Sequence, residues 1–271
     1  MPPFSVLMSV YYKENPAFLQ ESLDSIFNQS LKPDEIVLVQ DGPLTSELYD
    51  TIKKYSRLHP EIKSVVLAKN SGLGNALNEG LKYCSHDIVF RMDTDDIAKP
   101  NRFQTQLEFM ASRPDISVCS SWVEEFEENI NNIKGIKKVP QNHEDIFIYG
   151  KNRCPVNHPA VVFRKQDVIN SGGYGQFPED YSLWARMLMN GFKFHNIQES
   201  LLWFRSSKDV YKRRGGIKYL KAILKLNKEM YKIGYISYLQ YSKLFIIRSI
   251  VSLVPNSLRS FVYKKLLRSS N

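Results

Sequence analysis

A chain of 271 residues, 43% apolar and 24% charged, is long enough to bury a sizeable core and too apolar to be a charge-dominated unfolded polymer. Its net charge of +9 is uneven: from Arg205 to Asn271 there are 16 Lys/Arg against Asp209 and Glu229, so the first 204 residues carry −5. The first half has no arginine-rich groove with interleaved aromatics, which excludes nucleic acid as its partner.

The three cysteines (Cys84, Cys119, Cys154) are far apart and lack zinc spacing, so they are expected to be reduced thiols in a cytoplasmic protein. Met1-Pro2-Pro3-Phe4 places no basic segment before an apolar one, and no signal peptide is expected. Ser5 to Tyr12 then reads as a first strand, apolar enough to be buried on both faces. Asn15-Pro16 opens a helix with Phe18, Leu19, Leu23, Ile26 and Phe27 at helical spacing. Glu35 to Val39 is a second buried strand, closed by the turn sequence Gln40-Asp41-Gly42-Pro43. A helix through Tyr49 and Ile52 follows, then a short strand at Ser64 to Leu67. After Asn70-Ser71-Gly72-Leu73-Gly74, the residues Ala76, Leu77 and Leu81 line another helix. Strand–helix alternation at this spacing predicts an α/β fold with a mostly parallel, doubly wound sheet.

The fourth strand carries the chemistry. Ile88-Val89-Phe90-Arg91-Met92 runs straight into Asp93-Thr94-Asp95-Asp96, three carboxylates in four positions. On its own, D-x-D-D equally describes a solvated acidic turn. At the tip of a buried strand it faces the edge where open α/β sheets hold ligands. Like charges so close call for a cation, and hard oxygen donors suit Mg²⁺ or Mn²⁺ completed by water and phosphate. Ser9 to Glu14 and Asp41 end their own strands at the same edge, which predicts a nucleotide pocket. Gly72-x-Gly74 is a poor dinucleotide fingerprint, and no Walker sequence exists.

After about Arg113 the pattern changes. Ile116 to Val123 is strand-like, and Glu124 to Lys138 is polar, as in an exposed hairpin or loop. Asn157-His158-Pro159 precedes a strand at Ala160 to Phe163, and a helix starting at Lys165 ends at Gly172-Gly173-Tyr174-Gly175. Another helix opens with Glu179-Asp180. Asp180 fits an N-terminal capping acid as well as a functional carboxylate. His158 fits a packed histidine as well as a ligand.

The order of these features resembles glycosyltransferase family 2, the inverting enzymes of GT-A fold, in the branch that builds bacterial exopolysaccharides and O-antigens. The matching pieces are Ser9-Val10-Tyr11-Tyr12-Lys13-Glu14, Gln29, Val39-Gln40-Asp41-Gly42 and Asn70-x-Gly72-x-x-x-Ala76-x-Asn78-x-Gly80. They continue with Arg91-Met92-Asp93-Thr94-Asp95-Asp96, Asn157-His158-Pro159, Glu179-Asp180-Tyr181-x-Leu183-Trp184 and Arg213-Arg214-Gly215-Gly216. Two departures stand out. Relatives carry Asp-Asp-Gly-Ser where this chain has Gln40-Asp41-Gly42-Pro43, and many carry Arg where it has Leu77.

The resemblance implies a catalytic domain over residues 1–205, with a nucleotide-binding half to about 113 and an acceptor half to 205, then a basic helical extension over 206–271. It implies transfer from a nucleoside-diphosphate sugar, most often a uridine one, to a lipid-diphosphate-linked saccharide, with inversion. Ser9, Tyr11 and Glu14 would line the nucleoside pocket, Asp41 would accept from the base, and Asn70 would contribute nearby. Asp95 and Asp96 would hold Mn²⁺ or Mg²⁺, with Asp93 on the metal or the ribose and His158 approaching from the other side. Asp180 would be the general base and Glu179 its tuning neighbour. A sugar-nucleotide pyrophosphorylase would instead show a Gly-rich basic loop after the first strand. An inactive membrane-bound scaffold would be expected to have lost these carboxylates.

Two readings remain open in the basic region. Lys212-Arg213-Arg214-Gly215-Gly216 fits a lid in which Arg214 closes on a diphosphate, or a plain linker. Tyr219 to Lys232 and Tyr235 to Leu253 fit either helices lying on an anionic membrane at the cytoplasmic face, or a cap packed on the body. No stretch reaches the ~18 uncharged residues of a spanning helix.

Overall fold

The computed structural model describes residues 1–206 and 216–253. Strand and helix alternate through β1 (Phe4–Val10), α1 (Pro16–Phe27), β2 (Glu35–Gln40), α2 (Ser46–Leu58), β3 (Ile62–Val66), α3 (Leu73–Tyr83) and β4 (Ile88–Arg91). These four strands pair in parallel in the order β3-β2-β1-β4. β1, β2 and β4 are apolar on both faces, and their alternate residues enter different cores. β3, at the sheet edge, leaves Lys63, Ser64 and Val66 exposed. Leu7, Val37, Val39 and Val89 face one cluster, covered by Ala76, Leu77 and Leu81 of α3. Val6, Met8, Ile36, Leu38 and Phe90 face the other, covered by α1 and α2. This division is the physical content of double winding.

The second half is β5 (Ile97–Ala98), α4 (Arg102–Ser112), β6 (Ile116–Phe126), β7 (Ile133–Lys137), α5 (His143–Tyr149), β8 (Val162–Arg164), α6 (Lys165–Asn170), α7 (Glu179–Met189) and β9 (Lys193–Arg205). β8 runs antiparallel to β4 and joins it to β6. β9 lies parallel to β6 and ends beside β5. The polar stretch after Val123 is a hairpin, β6 with β7. The mixed pairing carries the sheet past β4 and brings the end of β9 back to the acidic loop.

Two helices close the described chain, α8 (Gly216–Lys232) and α9 (Tyr238–Leu253). Leu226 and Met230 of α8, Tyr235 and Ile236 of the turn, and Leu244 of α9 join the same apolar cluster as Trp184 and Leu188 of α7. The hairpin therefore packs on the body. Among the described residues, no helix is long and apolar enough to cross a membrane.

Helix α3 grips the loop before α7. Asn78 Nδ2 donates to the Tyr174 carbonyl at 2.8 Å, and its Oδ1 accepts from the Tyr174 N–H at 2.8 Å. Gly80 lies so close to β1 and β2 that a Cβ would stand 2.5 Å from Leu7 Cδ1 and 2.6 Å from Val39 Cγ2. At Gly74 the clash would be with backbone: a Cβ would come 2.3 Å from the Gly175 carbonyl oxygen. Gly74→Ala is therefore expected to cost about 1–3 kcal/mol, as overpacking does. The measure is a lowered urea midpoint at unchanged slope, and an unshifted midpoint would contradict the contact.

Candidate active site

Because β1, β2 and β4 are parallel, their carboxyl ends share one edge, and the loops that follow meet there. Thr94 Oγ1 donates to Glu14 Oε2 at 2.6 Å and lies 3.5 Å from the Ser9 carbonyl. Ser22 Oγ donates to the Asp93 carbonyl at 2.9 Å. Tyr11 stands exposed beside Tyr12, ring centroids 5.8 Å apart. Ser9, Glu14 and the acidic loop thus meet, and the Tyr11 carbonyl accepts from the Glu14 N–H at 3.0 Å.

Asp41 is buried and accepts three hydrogen bonds. Its Oδ1 accepts from the Ser71 N–H (2.7 Å) and hydroxyl (3.0 Å), and its Oδ2 from the Gly72 N–H (3.1 Å). Asn70 Nδ2 donates to the Asp41 carbonyl at 3.2 Å. Gly72 has φ +86°, open to glycine at little cost. The carboxylate that ends β2 therefore shapes the loop that starts α3, and one lone pair of Oδ2 remains for a ligand N–H.

Oxygens of Asp93, Asp95 and Asp96 lie within 4.8 Å of one another. Asp93 and Asp95 are half-buried, and Asp96 is fully buried behind them. Burial first, then the charges of Asp93 and Glu14, pushes Asp95 up to about 7. Burial and the charges of Asp95 and Asp93 push Asp96 well above the usual carboxylate range. Two arginines partly answer this charge. Arg91, wholly buried, pairs with Asp93. Arg205, last residue of β9, donates its N–H to Asp96 Oδ1 (2.8 Å) and its Nε–H to the Asp95 carbonyl (2.8 Å), and also pairs with Glu21.

The compensation is incomplete. Asp96 Oδ2 has no hydrogen-bond partner, and Asp95 remains shifted despite Arg91. A buried oxygen without a donor, beside carboxylates still in mutual repulsion, fits a hard divalent cation. Glu179 is pushed up to about 7 as well, by burial and then by Asp180. Both groups ordinarily titrate near 4, so between about pH 4 and 7 the folded state keeps protons that the unfolded chain has lost. Metal-free protein is therefore expected to lose stability as pH rises through that window, and saturating Mn²⁺ to reverse the Asp95 part. Thermal melts with EDTA and with Mn²⁺ read this; a metal-free melting point that rises from pH 5 to 7 would contradict it.

Asp180 and Glu179 open α7, where free N–H groups and the helix dipole favour acids. Asp180 Oδ2 accepts from the Cys154 thiol at 3.5 Å, and burial holds that thiol protonated. The Glu179 Cβ lies close to Gly74, so α7 begins beside the start of α3. His158 stands apart from the carboxylate group. It is buried against Tyr174 and Trp184, with Nε2 3.2 Å from the Tyr174 hydroxyl, and burial followed by Arg91 holds it neutral. Its contacts are those of a packed wall. Lys212, Arg213, Arg214 and Gly215 lie outside the described residues.

Residues 5–171 match the family model described as glycosyl transferase family 2. The chain belongs to glycosyltransferase family 2. It is 47% identical to the UDP-Gal:alpha-D-GlcNAc-diphosphoundecaprenol beta-1,3-galactosyltransferase of Escherichia coli, over 98% of this chain and 97% of that one. Its fold is similar to S. aureus TarS in complex with UDP-GlcNAc, with TM-score 0.67 and 17% identity over 91% of this chain and 72% of that one. It is also similar to the Pyrobaculum calidifontis mannosyltransferase PcManGT in complex with GDP-Man and Mn2+, with TM-score 0.65 and 14% identity over 99% and 81%. This family-2 glycosyltransferase therefore has the GT-A fold and is a transferase enzyme.

Two arginines that hold the acidic loop are given no role by the motif reading, although Arg91 lies inside the Arg91-to-Asp96 piece. Arg91 is the one charge in an otherwise apolar strand, which is the signal that marks it. Arg205 ends the run Leu201 to Phe204 and clamps the acidic loop from more than a hundred positions away, which no local pattern reveals.

Proposed function

We propose that this glycosyltransferase moves a sugar from a UDP-sugar to a saccharide carried on a lipid diphosphate, with inversion, during synthesis of a bacterial surface polysaccharide at the cytoplasmic face of the cell membrane. The observation that carries the reading is the gathering of Asp93, Asp95 and Asp96 at the sheet edge with the acids of α7 nearby. The galactosyltransferase relative, whose name includes both UDP-Gal and a diphosphoundecaprenol acceptor, supports both substrate classes.

An Mn²⁺ or Mg²⁺ ion would be held by Asp95 and Asp96, with Asp93 on the metal or the ribose, while the other oxygen of Asp96 accepts from the Arg205 N–H. Bound there, it offsets negative charge gathering on the departing diphosphate. The protein's own groups do the rest. Asp41 keeps one oxygen lone pair for the base, and Ser9, Tyr11, Glu14 and Asn70 line the nucleoside side. Asp180 takes the proton from the acceptor hydroxyl as its oxygen bonds to the anomeric carbon. The bond from that carbon to the diphosphate breaks on the opposite face, and the nucleoside diphosphate leaves. Glu179, its own carboxyl pushed up by burial and then by Asp180, stands next to that base and orients or tunes it. His158 packs against Trp184 and Tyr174 in the interior. Arg214, if it closes over the donor, adds a second positive group to the diphosphate.

The test is a panel of UDP-, GDP- and dTDP-sugars, with Mn²⁺, against a short lipid diphosphate bearing one sugar. Transfer from a UDP-sugar with inverted anomeric configuration by NMR is expected. A retained configuration would remove Asp180 from the role of base. Transfer from GDP- or dTDP-sugars alone would overturn the donor.

A further inference from the structure

α9 is apolar on both sides but packs with only one. Its inward stripe is Tyr241, Leu244 and Arg248: Leu244 is buried, Tyr241 stacks on Tyr231 with centroids 5.5 Å apart, and Arg248 Nη2 donates to the Asn152 carbonyl at 2.7 Å. On the opposite side Leu239, Ile246 and Ile250 recur over three turns and are 79%, 58% and 59% exposed, with Tyr238, Phe245 and Ile247 exposed at the flanks. Lys243 lies on the same side between Leu239 and Ile246, its charge exposed to solvent. Single exposed apolar residues are ordinary, but six on one helix mark a surface that something covers.

The neighbouring helix says what. Lys218, Lys221, Lys225, Lys228 and Lys232 recur at spacings of three and four, so all five share one face of α8. That face lies opposite the buried Ile223, Leu226, Asn227 and Met230. Among the described residues none of the five has a carboxylate partner; Lys225 donates to Gln176 at 3.2 Å. The one acid of the helix, Glu229, turns to the Ser182 hydroxyl at 3.3 Å. Beyond α9 the sequence adds Arg259, Lys264, Lys265 and Arg268 and no acid.

We infer that the outward face of α9 is the surface by which this protein docks on an anionic lipid bilayer, with the α8 lysines meeting the headgroups beside it. A second copy is the other occupant an apolar stripe would suit. Pairing two copies along α9 would bring two lysine stripes together without counter-charge, whereas anionic headgroups attract them, each lysine strengthening binding by about fivefold. At 16 residues and ~1.5 Å per residue, α9 is shorter than the hydrocarbon core, so it lies in the interface plane. The inference rests on the lipid-linked acceptor proposed above, and gives it an orientation: the hairpin that packs on α7 holds the candidate base close to the surface where such an acceptor resides.

The test uses the full chain in vesicle sedimentation, with phosphatidylcholine alone and with an equimolar mixture of phosphatidylcholine and phosphatidylglycerol. Binding to the anionic vesicles only, weakening as salt rises, is expected. The triple variant Leu239→Ser, Ile246→Ser, Ile250→Ser is expected to lose that binding by about a hundredfold, since each lost side chain was buried in lipid. Its thermal midpoint, UDP affinity and transfer to a short soluble acceptor should be unchanged. A triple variant that still binds anionic vesicles as the wild type does would overturn the assignment. So would a wild type that is dimeric by light scattering and becomes monomeric with the three serines, which would give the stripe to a second copy. Vesicle binding that behaves as expected, with no transfer to any lipid diphosphate, would leave the docking face standing and remove the acceptor reading.

Discussion

Asp95→Asn is expected to lower turnover by about a thousandfold or more, the scale on which lost charge stabilisation at a leaving group is felt. Asp95 is half-buried, like Asp93, with Glu14 near; burial first, then the charges of Asp93 and Glu14 that Arg91 only partly offsets, push it up to about 7. The amide keeps the shape and removes the charge, so the same change that ends turnover should relieve repulsion. At pH 8, where Asp95 is ionised, the metal-free variant should melt higher than the metal-free wild type, and Mn²⁺ should raise the variant's melting point far less. Calorimetric titration with Mn²⁺ alone separates metal loss from donor loss. Full turnover in EDTA, or in the variant, would end the metal assignment.

Asp180→Asn should separate the two substrates. Transfer is expected to fall by about a hundredfold to ten-thousandfold, the contribution of a placed general base. UDP affinity should hold, because the donor side is built from the ends of β1, β2 and β4, and Asp180 belongs to α7 on the acceptor side. Calorimetry with UDP and Mn²⁺, beside a transfer assay, reads both quantities on one protein. Transfer surviving within about tenfold would make another group the base, with Glu179 first in line because it titrates closest to neutrality.

Much of this was legible in the residues. β1, β2 and β4 announce themselves as apolar runs ending in acids, and the carboxylates converge where parallel strands end. The family resemblance supplied the fold's name and the acceptor side. The parts that escaped have physical reasons. α4 buries Arg102 and Gln106 along with Phe103 and Leu107, so its apolar stripe is diluted by groups satisfied only in three dimensions, such as Arg102 donating to the Arg91 carbonyl. β9 is broken by His195, Asn196, Gln198, Glu199 and Ser200, and it becomes a strand through pairing with β6 across three register shifts. The demand for a cation near the acids was readable; that Arg205 already meets part of it was not, because that pairing spans more than a hundred residues, and the local Arg91–Asp93 pair shows only once the fold buries it. Asp41 is the instructive middle case. Its position was marked, and the structure adds that it holds the 71–72 loop as well.

The grip of Asn78 on both backbone groups of Tyr174, with Gly74 set against Gly175, bears on how such enzymes can be recombined. The natural place to cut and graft a new acceptor specificity is after α4, where one half gives way to the other. A graft made there would import a foreign 173–175 loop onto a native α3. The helix and the loop are packed as a pair across that boundary, so positions 74 and 78 must travel with the second half for a chimera to keep α7 in register.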